Sequence, residues 1–280
     1  MNKMSPERRA QVIRALVEGN SIRATCRMTG AAKGTVLKLL ADIGEVCAQY
    51  HHENVRGFTS ERIQCDEIWA FVYSKAKNVP SEYAGVGDVW TWVGIDADTK
   101  LVASWMVGGR DARSAKVFMD DLSRRLAHRV QLTTDGHAAY LTAVKEIFED
   151  EIDYAMLVKL YGADAEQEKR YSPATCTGAV PKTITGNPDP KHVSTSYVER
   201  QNLTMRMSMR RFTRLTNAFS KKLANLEAAL ALHYVYYNFC RKHQTLGTTP
   251  AVEAGIAGHE WTVDEIVALL EAREISRDAN

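Results

Sequence analysis

Residues 63–73, I-Q-C-D-E-I-W-A-F-V-Y, constrain the fold more than any other stretch of the chain. Their β-branched and aromatic content predicts a strand, and that strand carries two adjacent carboxylates, Asp66 and Glu67, at its middle. A carboxylate inside an apolar strand costs several kcal/mol unless it is paired or holds a cation, so its presence points to a function. Neighbouring strand residues face opposite sides of a sheet, so only one of the two acids is expected in any one site.

Residues 89–96 (V-W-T-W-V-G-I-D) and 101–107 (L-V-A-S-W-M-V) read as a hairpin after a loop over 79–87. Asp96 and Asp98 sit at its turn, where Asp serves local backbone hydrogen bonds. Asp111 or Ser114 caps an amphipathic helix through Ala115, Phe118, Met119 and Leu122. A short strand over 130–133 then ends at Asp135-Gly136, and ligand-binding residues gather at strand ends in α/β sheets. The same dipeptide also reads as a plain turn. A helix over 138–149 and a strand over 152–161 follow. Three antiparallel strands followed by alternating helices and strands predict an α/β protein, a mixed sheet flanked by helices. Periodicity then vanishes over 162–192, which holds four of the seven prolines and reads as a long loop. Its Lys169, Arg170, Lys182 and Lys191 suit contact with a phosphate backbone.

The N-terminal residues follow a helical period. Ser5-Pro6-Glu7 starts a helix that Gly19-Asn20 stops; Ser21 caps a second; Thr29-Gly30 turns into a third over 32–43. That is the helix-turn-helix pattern, and it would present Lys33, Thr35 and Lys38 to the major groove. A three-helix cap without a DNA role fits the same pattern. Residues 48–60 have little periodicity and read as a linker, His51-His52 included. The expected division is 1–47 helix-turn-helix, 48–60 linker, 61–245 mixed-sheet domain and 246–280 helical tail, where Thr262 and Glu265 form a capping box.

The net charge of +2 conceals an asymmetry. Residues 1–50 hold eight Lys/Arg against four Asp/Glu, and residues 200–243 hold nine against Glu227 alone. Two basic blocks on an otherwise acidic chain suggest two surfaces for an anionic polymer. No apolar run reaches membrane-spanning length, and five scattered cysteines without a C-x-x-C pair argue against a disulfide framework or zinc ribbon. A cytoplasmic protein is expected.

Residues 196–214 read as one helix with a single acid, Glu199, among Arg200, Arg206, Arg210, Arg211 and Arg214. Glu199, Asn202 and Arg206 share a face, which Arg210 extends. A helix crossing the sheet brings Glu199 towards Asp66 and Asp135. Three acids converging from separate elements repel unless a cation holds them, and oxygen ligands favour Mg²⁺ or Mn²⁺. Two such ions about 4 Å apart suit phosphodiester chemistry.

Taken together, C-D-E-I-W around Asp66, T-T-D-G-H around Asp135, Y-V-E-R-Q-N-L-T-M-R over 197–206 and A-F-S-K over 218–221 resemble the DDE-type transposases of the RNase H-like superfamily, most nearly the insertion-sequence-one family. The resemblance runs from about residue 61 to 240. It implies an RNase H-like catalytic domain with Asp66, Asp135 and Glu199 as the catalytic, metal-binding triad. It also implies Arg206 near the cut strand and at least a homodimer on DNA. The run Y-N-F-C-R-K-H-Q-T-L-G-T-T-P-A looks more like the tail of other DDE families. The expected activity is binding of double-stranded element ends, cleavage, and transfer of 3′-ends to target DNA. An RNase H-like nuclease that cuts without joining, and a non-enzymatic helix-turn-helix regulator, are the competing readings.

Overall fold

In a computed structural model of the chain, residues 4–79, 86–161, 176–213 and 217–278 are described. Lys169, Arg170 and Arg214, and most of the loop expected over 79–87, lie outside them. Among the described residues no helix is long and apolar enough to cross a membrane.

The N-terminal helices form where expected: α1 (Pro6–Val17), α2 (Ile22–Thr29) and α3 (Lys33–Asn54). Ser5 and Ser21 cap the first two by accepting from the amides of Arg8 and Ala24, and Gly30 takes the left-handed conformation (φ 68°) that turns α2 into α3. α3 overruns its expected end, so the stretch read as linker is helical to Asn54. Its apolar face continues through Val46 and Cys47, and His51 is buried, its Nε2 3.0 Å from the Val102 carbonyl. A polar residue satisfied by a distant strand breaks the hydrophobic pattern without breaking the helix.

The sheet follows: β1 (Arg62–Val72), β2 (Gly87–Asp96), β3 (Val102–Gly108), α4 (Ala112–Ser123), β4 (Gln131–Asp135), α5 (Ala139–Phe148) and β5 (Asp153–Tyr161). The strand order is β3-β2-β1-β4-β5 with a sixth strand beyond β5; β1, β2 and β3 are antiparallel and β1, β4 and β5 parallel. This is the mixed sheet expected, with one addition. β6 (Cys176–Thr185) lies in the stretch read as loop and pairs antiparallel with β5. It is an edge strand, where Pro181 opposite Leu157 is tolerated because one side needs no ladder donor. Its largely exposed residues carry no alternation from which to read it.

Alternation along β1 divides the packing. Ile63 and Cys65 join Trp92, Phe118, Leu122 and Tyr140 beneath α4 and α5. Ile68, Ala70 and Val72 join Val198, Met205, Leu230 and Tyr234 on the other face, beneath α6 (Ser196–Ser208) and α7 (Leu223–Val235). α6 is shorter than expected: Met209 turns extended and Arg210–Phe212 form a 3₁₀ turn. Arg210 therefore leaves the helical stripe that Glu199, Asn202 and Arg206 share. α7 is followed by a π turn, Tyr236–Cys240, in which the buried Asn238 side chain bonds both the amide and the carbonyl of Val102 at 2.9 Å.

α8 (Pro250–Glu253) and α9 (Val263–Asp278) complete the chain. Half of the capping box forms: Glu265 Oε2 accepts from the Thr262 amide at 2.7 Å and from the Thr262 hydroxyl at 3.1 Å, while the Glu265 amide donates to the Thr262 carbonyl. The tail does not trail free: Glu274 pairs with Arg9 at 3.1 Å and Arg273 with Glu45 at 2.5 Å. α3 also crosses α7 at Gly44, where a Cβ would fall 2.4 Å from Ala228 Cα. The N-terminal helices, α7 and α9 thus share one apolar core with the α4–α5 side of the sheet.

Candidate metal centre

The pairing of β1 with β4 stops at Cys65 opposite Thr134, and β4 itself ends at Asp135. The edge of β1 beyond that point is open. Asp66 and Glu67, although on opposite faces of β1, both reach this opening: one oxygen each from Asp66, Glu67 and Asp135 lie within 4.8 Å of one another. The expectation that only one of the adjacent acids serves a given site is corrected. It assumed a fully paired strand.

Each acid is held from a different side. Gln64, two residues before Asp66 on the same face, is 3% exposed, and its Oε1 accepts from the amides of Tyr197 at 2.8 Å and Val198 at 3.2 Å. That docks the first turn of α6 on β1 and sets Asn202 above Asp66, with Nδ2 donating to Asp66 Oδ2 at 2.8 Å. Asn202 is only 5% exposed, so its amide is spent on the carboxylate rather than presented to DNA. On the other face the Glu67 side chain is fully buried. Arg110 reaches it from the loop before α4, with Nε 3.3 Å from Glu67 and its terminal nitrogen 3.7 Å from Asp135, while the guanidinium lies 4.7 Å over Trp90. Asp135 Oδ1 accepts from the His137 amide at 3.0 Å, an Asx turn at the strand end.

Crowding is legible in the acidities. Burial, then the Asp135 charge, pushes the Asp66 carboxyl up to about 6. The same two causes push Glu67 up to about 7, which Arg110 only partly opposes. Tyr140 lies beside Glu67, yet neither its hydroxyl nor Glu67 Oε1 has a well-formed hydrogen bond, and Asn202 Oδ1 is likewise buried without a partner. Three clustered carboxylates, orphaned oxygens and a hard, all-oxygen donor set fit a divalent cation.

Glu199 stands apart from this cluster. It lies in the first turn of α6, where Lys159 Nζ on β5 donates to its Oε1 at 2.6 Å and Thr195 bonds the same oxygen. Its charge nonetheless contributes to raising Asp66. Glu67 and Arg110 are the residues that sequence reasoning left out. An acid already noted at mid-strand was the available signal for the first; nothing in the local sequence marked the second. Of the other expected contacts, Lys33, Thr35 and Lys38 are exposed near the start of α3, with Lys38 paired to Asp42 at 2.6 Å. Arg206 is half-buried and Arg210 exposed.

Residues 83–170 match the family model described as a DDE domain, of the IS240 transposase type. Over that segment the chain is similar to a DDE domain. The matched segment contains Arg110 and Asp135, and Asp66 and Glu199 fall on either side of it. The finer assignment to the insertion-sequence-one family finds no support in this match. No curated protein matches the chain. Among solved structures the chain overlaps a piggyBac transposase synaptic complex with hairpin DNA at a TM-score of 0.41 and 9% identity, covering 98% of this chain and 73% of that one. It overlaps a pre-cleavage Mos1 transpososome at 0.35 and 10%, covering 99% and 81%. Likeness that distant carries no argument about chemistry.

Proposed function

We propose that the protein is a DNA transposase that cleaves phosphodiester bonds at the ends of a mobile element and joins the 3′-ends to target DNA. The observation that carries this reading is the convergence of Asp66, Glu67 and Asp135 within 4.8 Å, in a chain whose residues 83–170 match a DDE domain. Asp66, Asp135 and Glu199 are proposed as the catalytic triad, with Glu67 as a fourth carboxylate at the same opening. Mg²⁺ or Mn²⁺, up to two ions, would be held there and would supply charge neutralisation at the scissile phosphate and activation of the attacking oxygen.

The protein's own residues set the conditions for that chemistry. Asn202 fixes the rotamer of Asp66 through its 2.8 Å hydrogen bond. Arg110 draws Glu67 and Asp135 together in the absence of an ion. Lys159 holds Glu199 aside at 2.6 Å, and its release would let the acid turn towards Asp66. DNA is the proposed partner of both basic blocks: Lys33, Thr35 and Lys38 on the helix-turn-helix side, and Arg206 on the Glu199 helix with Arg210 in the turn beyond it. A dimer or larger assembly on paired ends, acting in the cytoplasm, completes the proposal, with helix-turn-helix and catalytic functions divided near residue 60. The test is Mg²⁺-dependent cleavage of DNA carrying the sequences that flank the coding region. Asp66→Asn is expected to abolish cleavage and keep DNA binding; retained cleavage sinks the assignment. Joining of pre-cut 3′-ends separates a transposase from a nuclease.

A further inference from the structure

A second concavity, of about 530 Å³, lies between the N-terminal helices and the junction of α6 with α7. Its walls are fixed by two close approaches. α3 crosses α7 at Gly44 against Ala228, and Gly19, at φ 79°, packs where a Cβ would meet the Ser208 carbonyl at 3.1 Å. The floor is apolar, built from Leu16, Leu37, Leu40, Ala229 and Leu232, with Phe219 at one side. The rim is cationic, with Arg23, Lys33, Arg210, Arg211 and Lys221, and among the described residues no acid lines it.

One lining group is short of a counter-charge and another of a hydrogen bond. Among the described residues Arg211 pairs with no carboxylate; its guanidinium donates to Ser220 Oγ at 2.6 Å, and burial draws its pKa down to about 10. A half-buried cation without a counter-charge is costly, and an anion in the cleft would offset that cost. His233 on the floor is 4% exposed, and its Nε2 has no hydrogen-bond partner. An apolar floor with one neutral polar nitrogen under a cationic rim suits a flat, polar-edged ring that carries phosphate. The volume falls in the range of about 300–1,000 Å³ typical of small-ligand clefts. Lys33 belongs both to this rim and to the DNA-facing end of α3, so DNA lying on the helix-turn-helix passes the mouth of the cleft.

Resting on the DNA reading above, we propose that this cleft takes up one unstacked nucleotide of single-stranded DNA, its base on the floor beside Phe219 and His233 and its phosphates on Arg23, Arg211 and Lys221. The energetic basis is stacking and desolvation of the base together with charge on the rim.

The experiment uses the full chain carrying Asp66→Asn, in EDTA, irradiated with a single-stranded 12-mer containing one 5-iododeoxyuridine; adducts are mapped by mass spectrometry. The expected adducts are on Phe219 or His233, and Arg23→Gln/Lys221→Gln, two exposed positions, is expected to lower their yield at least tenfold with an unchanged circular dichroism spectrum. Adducts confined to other segments would overturn the proposal. So would equal adduct yield from the same base in a duplex, which indicates backbone contact without unstacking. Displacement of the 12-mer by a polyglutamate peptide as readily as by unlabelled 12-mer would assign the cleft to an acidic peptide instead. If the cross-link is lost while the parent chain retains Mg²⁺-dependent joining, the transposase reading stands and only the cleft assignment falls.

Discussion

Replacing Glu67 with Gln removes one of three crowded carboxylates while keeping its shape, and the sign of the effect reverses with the ion. Glu67 is fully buried, and its carboxyl is pushed from 4.5 up to about 7. In the metal-free protein the folded state keeps this proton above the unfolded value. Between pH 4.5 and about 7 it therefore binds more protons than the unfolded chain, and stability falls as pH rises through that window. At roughly 1.4 kcal/mol per unit, the penalty at pH 8 is about 3 kcal/mol. The ion pair with Arg110, which is 40% exposed, is already contained in that raised value, because Arg110 opposes the larger effects of burial and Asp135. Glu67→Gln should thus raise metal-free stability by about 3 kcal/mol at pH 8 and by no more than about 1 kcal/mol at pH 5. Asp66, raised from 3.8 to about 6 by burial and then by Asp135, adds its own fall in stability with rising pH in both proteins. Urea unfolding in EDTA at the two pH values reads the difference directly. Addition of Mg²⁺ at pH 8 should stabilise the parent more than the variant. A variant less stable than the parent at pH 8 in EDTA would refute the reasoning, because Glu67 would then be a net structural support and not a strained ligand.

Lys159→Met should free Glu199 and tighten Mg²⁺ binding by up to about fivefold, measured by calorimetry, since a partly exposed ion pair is worth up to about 1 kcal/mol; weaker binding would show that Lys159 supports the site. Gln64→Ala removes the acceptor for two α6 amides and should cost about 1–3 kcal/mol in urea unfolding, with a loss of Mg²⁺ affinity as Asn202 shifts from Asp66. Unchanged affinity would disconnect the docking of α6 from the site. Gly44→Leu should destabilise the chain by 3 kcal/mol or more, because its Cβ alone would meet Ala228 backbone at 2.4 Å; a neutral effect would deny the close crossing of α3 and α7.

The sheet was readable because its strands are buried and patterned. β1, β2 and β3 alternate or run apolar over seven to eleven residues, Asp111 caps α4 with its side chain, and Glu265 reaches back to the Thr262 amide at the start of α9. What escaped was set by tertiary contacts. β6 is an exposed edge strand with Pro181 inside it, so neither periodicity nor propensity marked it. The end of α3 hid behind His51, whose partner is a carbonyl 51 residues away. In the site, Asp66 and Asp135 could be singled out by position on their strands. Glu67 could not be joined to them, because that depends on where the β1–β4 ladder stops. Asn202 fell on the right face of α6, but its commitment to Asp66 follows from the Gln64 cap that seats the helix. The break at Met209, which removes Arg210 from the stripe, lies in a sequence with no Gly or Pro to signal it.

The most direct test of the central claim is strand joining. An oligonucleotide with a recessed 3′-hydroxyl, carrying sequence that flanks the coding region, is incubated with supercoiled plasmid and Mg²⁺, and the joined product is quantified for the parent chain, Asp66→Asn and Asp135→Asn. Joined product is expected from the parent alone, with both variants binding the oligonucleotide at parental affinity and forming at least about a thousandfold less product, on the order of the loss expected when a metal-anchoring carboxylate is removed. Joining by Asp66→Asn at more than a tenth of the parental rate would contradict it.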